Sequence, residues 1–100
     1  MSPRQKVVNI LRREIPYLRE NYGVKKIALF GSVVHGGYGK RSDIDMVIDF
    51  KSPSFDNFMD TSDYLEKLFK KKIDILTPAG VKGIRVKSVA KSIRKSLIYV

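Results

Sequence analysis

Gly31-Ser32 is followed after ten residues by Asp43-Ile44-Asp45, and another aspartate, Asp74, stands between Ile73 and Ile75. Carboxylates two residues apart on an extended strand leave the same face with Cα atoms roughly 7 Å apart, a spacing at which they can jointly hold metal ions. Ligands that are all oxygen favour Mg²⁺ or Mn²⁺ over zinc. Gly31-Ser32 ends an apolar run and opens onto a possible helical turn. Such a turn offers N–H groups and a hydroxyl to a phosphate, and the absence of a side chain on Gly31 permits close approach. Lys40 and Arg41 lie on a glycine-hinged loop from which they could fold over a triphosphate. These parts together describe a nucleoside triphosphate site, with two metal ions flanking an in-line displacement at phosphorus.

The elements that must position these residues follow from periodicity. Ser2-Pro3-Arg4-Gln5 reads as a helix start, with Ser2 as N-cap, Pro3 at the first position and Gln5 completing a capping box. Val7, Leu11, Ile15, Leu18 and Tyr22 mark one apolar helix face. Pro16 is expected to kink or split that helix, and Gly23 to stop it. Val24 to Phe30 suits a buried strand, Val33 to His35 one helical turn, and the glycines between 36 and 39 a loop. From Asp43 to Phe50 the chain alternates. Ile44, Met46, Ile48 and Phe50 form a core face, and Asp43, Asp45, Val47 and Asp49 a working face. A helix with Phe58, Leu65, Leu68 and Phe69 on one side follows, then a short strand Ile73 to Leu76, and a turn at Thr77-Pro78-Ala79-Gly80. Helical spacing returns from about Ile84 through Val86, Val89, Ile93 and Leu97, and residues 97–100 read as a short strand or a helix end.

The first two strands are linked too briefly for a crossover and should be antiparallel, whereas the second and third are separated by a helix and should be parallel. In that topology Gly31-Ser32, Asp43 with Asp45, and Asp74 all reach one edge of a mixed sheet. The fold class is therefore α+β, a small mixed β-sheet with flanking helices.

One hundred residues suffice for a single domain spanning 1–100, without room for a separate acceptor-binding domain. No apolar run approaches the roughly 20 residues of a membrane span. The absence of a signal-like N-terminus and of cysteine leads to the expectation of a cytoplasmic protein without disulfides or thiolate metal sites. Twenty Lys and Arg against ten Asp and Glu give a formal charge of +10, which suits polyanionic partners. Lys87, Lys91, Arg94 and Lys95 form a basic helix stripe, and no acidic residue occurs from Ala79 to Val100.

With Gly-Ser, ten residues, Asp-x-Asp and a third strand aspartate, the chain resembles the minimal nucleotidyltransferases of the DNA polymerase beta superfamily. The resemblance runs from Tyr22-Gly23-Val24 to about Leu76. It implies a polymerase-beta-like nucleotidyltransferase fold in which Gly31 and Ser32 bind the triphosphate and Asp43, Asp45 and Asp74 hold Mg²⁺, with Asp74 also helping to activate the acceptor hydroxyl. Many such proteins are similar to the antitoxin of HEPN–MNT toxin–antitoxin pairs, which implies transfer of AMP from ATP to a tyrosine of the HEPN partner. The chain departs from the frequent Gly-Ser-x-Ala-Arg-Gly pattern, carrying His35 in place of the arginine. Two other functions compete. An antitoxin acting by occlusion would keep its partner after loss of Asp43 and Asp45. A nucleic-acid-binding module using the basic stripe would show affinity that falls steeply with salt and ignores the aspartates.

Overall fold

The computed structural model describes residues 2–36, 39, 42–84 and 87–100, and for residues 87 and 88 only their place in a helix. The elements run α1 (Pro3–Tyr22), β1 (Val24–Phe30), α2 (Ser32–His35), β2 (Ile44–Phe50), α3 (Phe55–Phe69), β3 (Ile73–Leu76), α4 (Pro78–Lys82), α5 (Lys87–Ser96) and β4 (Ile98–Tyr99). The strands form one sheet in the order β3-β2-β1-β4. β1 is antiparallel to β2 and to β4, and β2 is parallel to β3. This is the mixed sheet that the connection lengths require. The short final strand, one of two readings of the C-terminal residues, covers the outer edge of β1 at Ala28 and Leu29.

α1 begins where expected, the Ser2 hydroxyl accepting from the Gln5 N–H at 3.1 Å. The Gln5 side chain does not close a reciprocal box; it donates to Asn9 one turn on, at 2.8 Å. Nor does Pro16 split the helix, which is continuous over 20 residues. Pro16 and Arg12, whose carbonyl loses its helical donor to the proline, are both exposed, so water can satisfy that carbonyl. Gly23 caps the helix at φ 68°, its N–H donating to the Leu18 carbonyl.

The main core lies between α1 and α3 and the Ile44–Met46–Ile48–Phe50 face of β2, with Leu11, Leu18, Ile27, Leu29 and Leu65 fully buried. Thr61 is buried beside them despite its hydroxyl, because Oγ1 donates to the Asn57 carbonyl at 2.7 Å within α3. Phe55 and Met59, by contrast, are exposed.

A second, smaller core covers part of the opposite face. Val47, Val81 and Ala90 are buried there, with Phe30, Leu76, Ile84, Ile93 and Leu97 packed around them. Two expectations change here. Thr77-Pro78-Ala79-Gly80 is the start of α4 rather than a turn: the Thr77 hydroxyl accepts from the Gly80 N–H at 3.1 Å and Pro78 occupies the first helical position. Threonine followed by proline is helix-start chemistry as much as turn chemistry. On α5 the apolar face is Ala90 and Ile93, continued by Leu97 just past its end, while Val89 is 47% exposed; Val86 lies outside the described residues. Thr77→Ala is expected to remove the cap of α4 and cost about 1 kcal/mol, read as a fall of several degrees in the melting temperature.

Candidate active site

β1 ends at Phe30, which pairs with Asp45 across the antiparallel ladder, and Asp45 is in register with Asp74 on the parallel side. The topology thus brings the Gly31-Ser32 turn and two of the carboxylates to one edge of the sheet. Asp43 immediately precedes β2, which begins one residue later than its alternation suggests; the Ile44 N–H donates to the Lys72 carbonyl at 3.1 Å and fixes the entry.

Gly31 adopts φ 75°, ψ −149°, a region that only glycine enters freely. A Cβ built there would collide with the Asp45 carboxylate, so the glycine backbone and the acid pack directly against each other. The Gly31 carbonyl accepts from the N–H groups of Val34 and His35, both at 3.0 Å. This closes a tight turn in which the leading amides, those of Ser32 and Val33, have no intrahelical acceptor. Ser32 is part-buried and His35 is exposed. Lys40 and Arg41, the two cations expected over a triphosphate, lie outside the described residues.

Asp45 holds its proton more tightly than an ordinary aspartate. Burial is the main cause, followed by the charge of Asp74, a hydrogen bond with Asp74, and the charge of Asp43. Asp45 and Asp74 are the close pair, and Asp43 acts on Asp45 as a neighbouring charge. Among the described residues no three carboxylate or imidazole groups are already drawn together around a single point. The expected triad is therefore gathered at one edge as a pair plus one, not as a closed cage. Lys72 approaches Asp74 at 3.9 Å, with both side chains largely in solvent, which makes it a weak partner that a stronger cation would displace.

Two supports were not visible from residue spacing. Lys71 donates to the carbonyls of Gly39 at 2.6 Å and Ser42 at 3.3 Å, while the Ser42 hydroxyl accepts from the Gly39 N–H at 3.0 Å. The segment leading into Asp43 is thereby tied to the connection between α3 and β3. Glu66 accepts from the Ile73 N–H at 3.3 Å and holds the start of the strand that carries Asp74. In the sequence Lys71 is one of three consecutive lysines that close a helix, and nothing in that run distinguishes it.

Comparisons with known proteins identify the family and the fold. A family profile described as nucleotidyltransferase domain matches residues 11–100. A Methanocaldococcus jannaschii protein, provisionally named a protein adenylyltransferase, is 39% identical over 103 residues and covers all of both chains. The protein adenylyltransferase MntA of Thermococcus cleftensis is 32% identical over 97 residues, 96% of this chain and 94% of that protein. Among solved structures, one described provisionally as a minimal nucleotidyltransferase superposes with a TM-score of 0.72 at 20% identity, over 98% of this chain and 95% of that one. A toxin–antitoxin structure with AMP-PNP gives 0.61 at 18% identity, over 96% and 70%. The two solved structures share the fold. The profile spans nearly the whole chain, including the turn and all three aspartates, and the chain belongs to the nucleotidyltransferase domain family.

Proposed function

We propose that this nucleotidyltransferase moves AMP from ATP to a tyrosine hydroxyl of a partner HEPN toxin, and so acts as an antitoxin. The observation that carries the reading is the pairing of Asp45 with Asp74 directly beside the Gly31-Ser32 turn. The names of the adenylyltransferase relatives support the adenylyl group, and the toxin–antitoxin neighbour with AMP-PNP supports the partner and the nucleotide.

The donor set fits Mg²⁺ or Mn²⁺: Asp43, Asp45 and Asp74 offer only hard oxygen, and while burial is the main cause that raises Asp45, the charges of Asp74 and Asp43 add to it, and that repulsion is what a cation relieves. Two such ions would neutralise charge on the attacking and leaving oxygens. The chain's own groups do the rest. The Ser32 hydroxyl and the Ser32 and Val33 amides cradle the phosphates, and Gly31 lets them approach. The Asp74 carboxylate accepts the tyrosine proton as the phenolic oxygen bonds to the α-phosphorus. The bond to the β-phosphate oxygen breaks and pyrophosphate leaves. Positioning and charge stabilisation suffice for such chemistry, with no covalent enzyme intermediate.

Incubation with labelled ATP, Mg²⁺ and the product of the neighbouring gene is expected to label that partner, and Asp43→Ala or Asp45→Ala to abolish the labelling. Equal inhibition of the toxin by wild type and both variants, without label, would show occlusion instead. Lys71→Met is expected to weaken divalent-cation affinity about tenfold by freeing the approach to Asp43. A Mn²⁺ titration reads this, and the melting temperature of the metal-free protein should move by only a few degrees.

A further inference from the structure

The short helix α2, which carries Ser32, lies between two clefts. One, of about 400 Å³, is lined by His35, Lys91, Ser92, Lys95 and Ser96. The other, of about 440 Å³, includes Arg4, Ser32 and His35 in its wall. His35 borders both. Among the described residues that line either cleft there is no carboxylate, although the chain has ten.

The position of Lys91 and Lys95 is set by packing. Ala90, Ile93 and Leu97 anchor α5 on the small core formed with Val47, Val81 and Phe30. Phe30 pairs with Asp45, and Val47 is two residues from it on β2, so α5 is held against the face of the sheet that carries the acids. Lys91 and Lys95 are both exposed and one turn apart, about 6 Å along the helix axis. Alternate side chains of an extended peptide on one face repeat at roughly 6.6 Å. The two spacings match.

We propose that the cleft between α2 and α5 seats an acidic, extended segment of the protein acceptor, with carboxylates at alternate positions meeting Lys91 and Lys95. Calling that protein the acceptor rests on the function proposed above; the binding surface does not. RNA fits less well, since no Phe, Tyr or Trp among the described residues lines the cleft as a stacking platform.

The test is fluorescence anisotropy without nucleotide, at physiological salt, using a labelled peptide of alternating Glu and Ala around one Tyr. Its Gln-for-Glu counterpart and a single-stranded RNA oligonucleotide serve as competitors. The acidic peptide should bind about tenfold more tightly than the neutral one. The Lys91→Glu/Lys95→Glu double variant should lose that margin, and Lys91→Gln/Lys95→Gln most of it, with melting temperature and ATP affinity unchanged. Lys25→Glu/Lys26→Glu changes the net charge equally on exposed positions of β1 and should bind within twofold of wild type. An equal loss in this control, displacement of the peptide by RNA at lower concentration, or a loss of ATP affinity at Lys91/Lys95 would each overturn the proposal. Peptide binding that follows the expected pattern with no adenylyl transfer to its tyrosine would count against the transfer reading alone.

Discussion

Asp45→Asn is expected to lower the transfer rate by about 10³-fold or more, the loss of some 4 kcal/mol of charge stabilisation, while making the metal-free protein more stable. The stability gain follows from the direction in which Asp45 is shifted. Its carboxyl binds a proton more tightly in the folded protein than in the unfolded chain, because of burial, Asp74 and Asp43. Folding is therefore favoured by this group below the unfolded value of about 3.9, and the advantage is lost as pH rises through the raised folded value. At neutral pH the ionised acid opposes folding, by about 0.5 kcal/mol for like charges in register across a ladder. Asparagine keeps the shape without the charge. In EDTA at pH 7 the variant should melt about 2–4 °C above wild type, with the gap closing below pH 4. Excess Mg²⁺ should raise the melting temperature of the wild type but not of the variant, since only a state that binds the ion gains from it. A variant less stable than wild type in EDTA would show that the acids are held by interactions outweighing their repulsion.

Gly31→Ala should be damaging to both fold and activity. Alanine at φ 75°, ψ −149° costs about 1–3 kcal/mol of backbone strain, and its Cβ would occupy space held by the Asp45 carboxylate, adding a comparable overpacking cost. Relief requires the turn or the acid to move, and either shift separates the phosphate cradle from the acidic edge. Gly36 provides the comparison. It too has positive φ, 100°, but an added Cβ meets nothing within 4 Å among the described residues. Gly36→Ala should therefore show only the backbone cost and keep most of the activity. Chemical denaturation with metal-binding titrations on both variants separates strain from collision. Equal behaviour of the two would remove the special role assigned to the Gly31–Asp45 contact.

Much of this arrangement can be read from the chain. The alternation of β2 separates core from working face, and the connection lengths dictate the strand directions, so Asp45 and Asp74 can be placed side by side before any coordinates. What escapes is tertiary. Pro16 passes through α1 because its side of the helix faces water, a fact of packing and not of proline. Ala90 replaces Val89 on the apolar face of α5 because Val47 and Val81 decide which side is covered. The collision at Gly31 and the Lys71 clamp join residues at least 14 positions apart and leave no local pattern. Asp43 illustrates the intermediate case: its motif is legible, yet its place just outside the closer Asp45–Asp74 pair is not.

The part of ATP that is transferred distinguishes adenylyl transfer from every alternative. With the partner toxin as acceptor, label carried on the α-phosphate of ATP should become attached to a tyrosine and label on the γ-phosphate should leave as pyrophosphate. Retention of the γ-label on the partner, or of neither label, would contradict it.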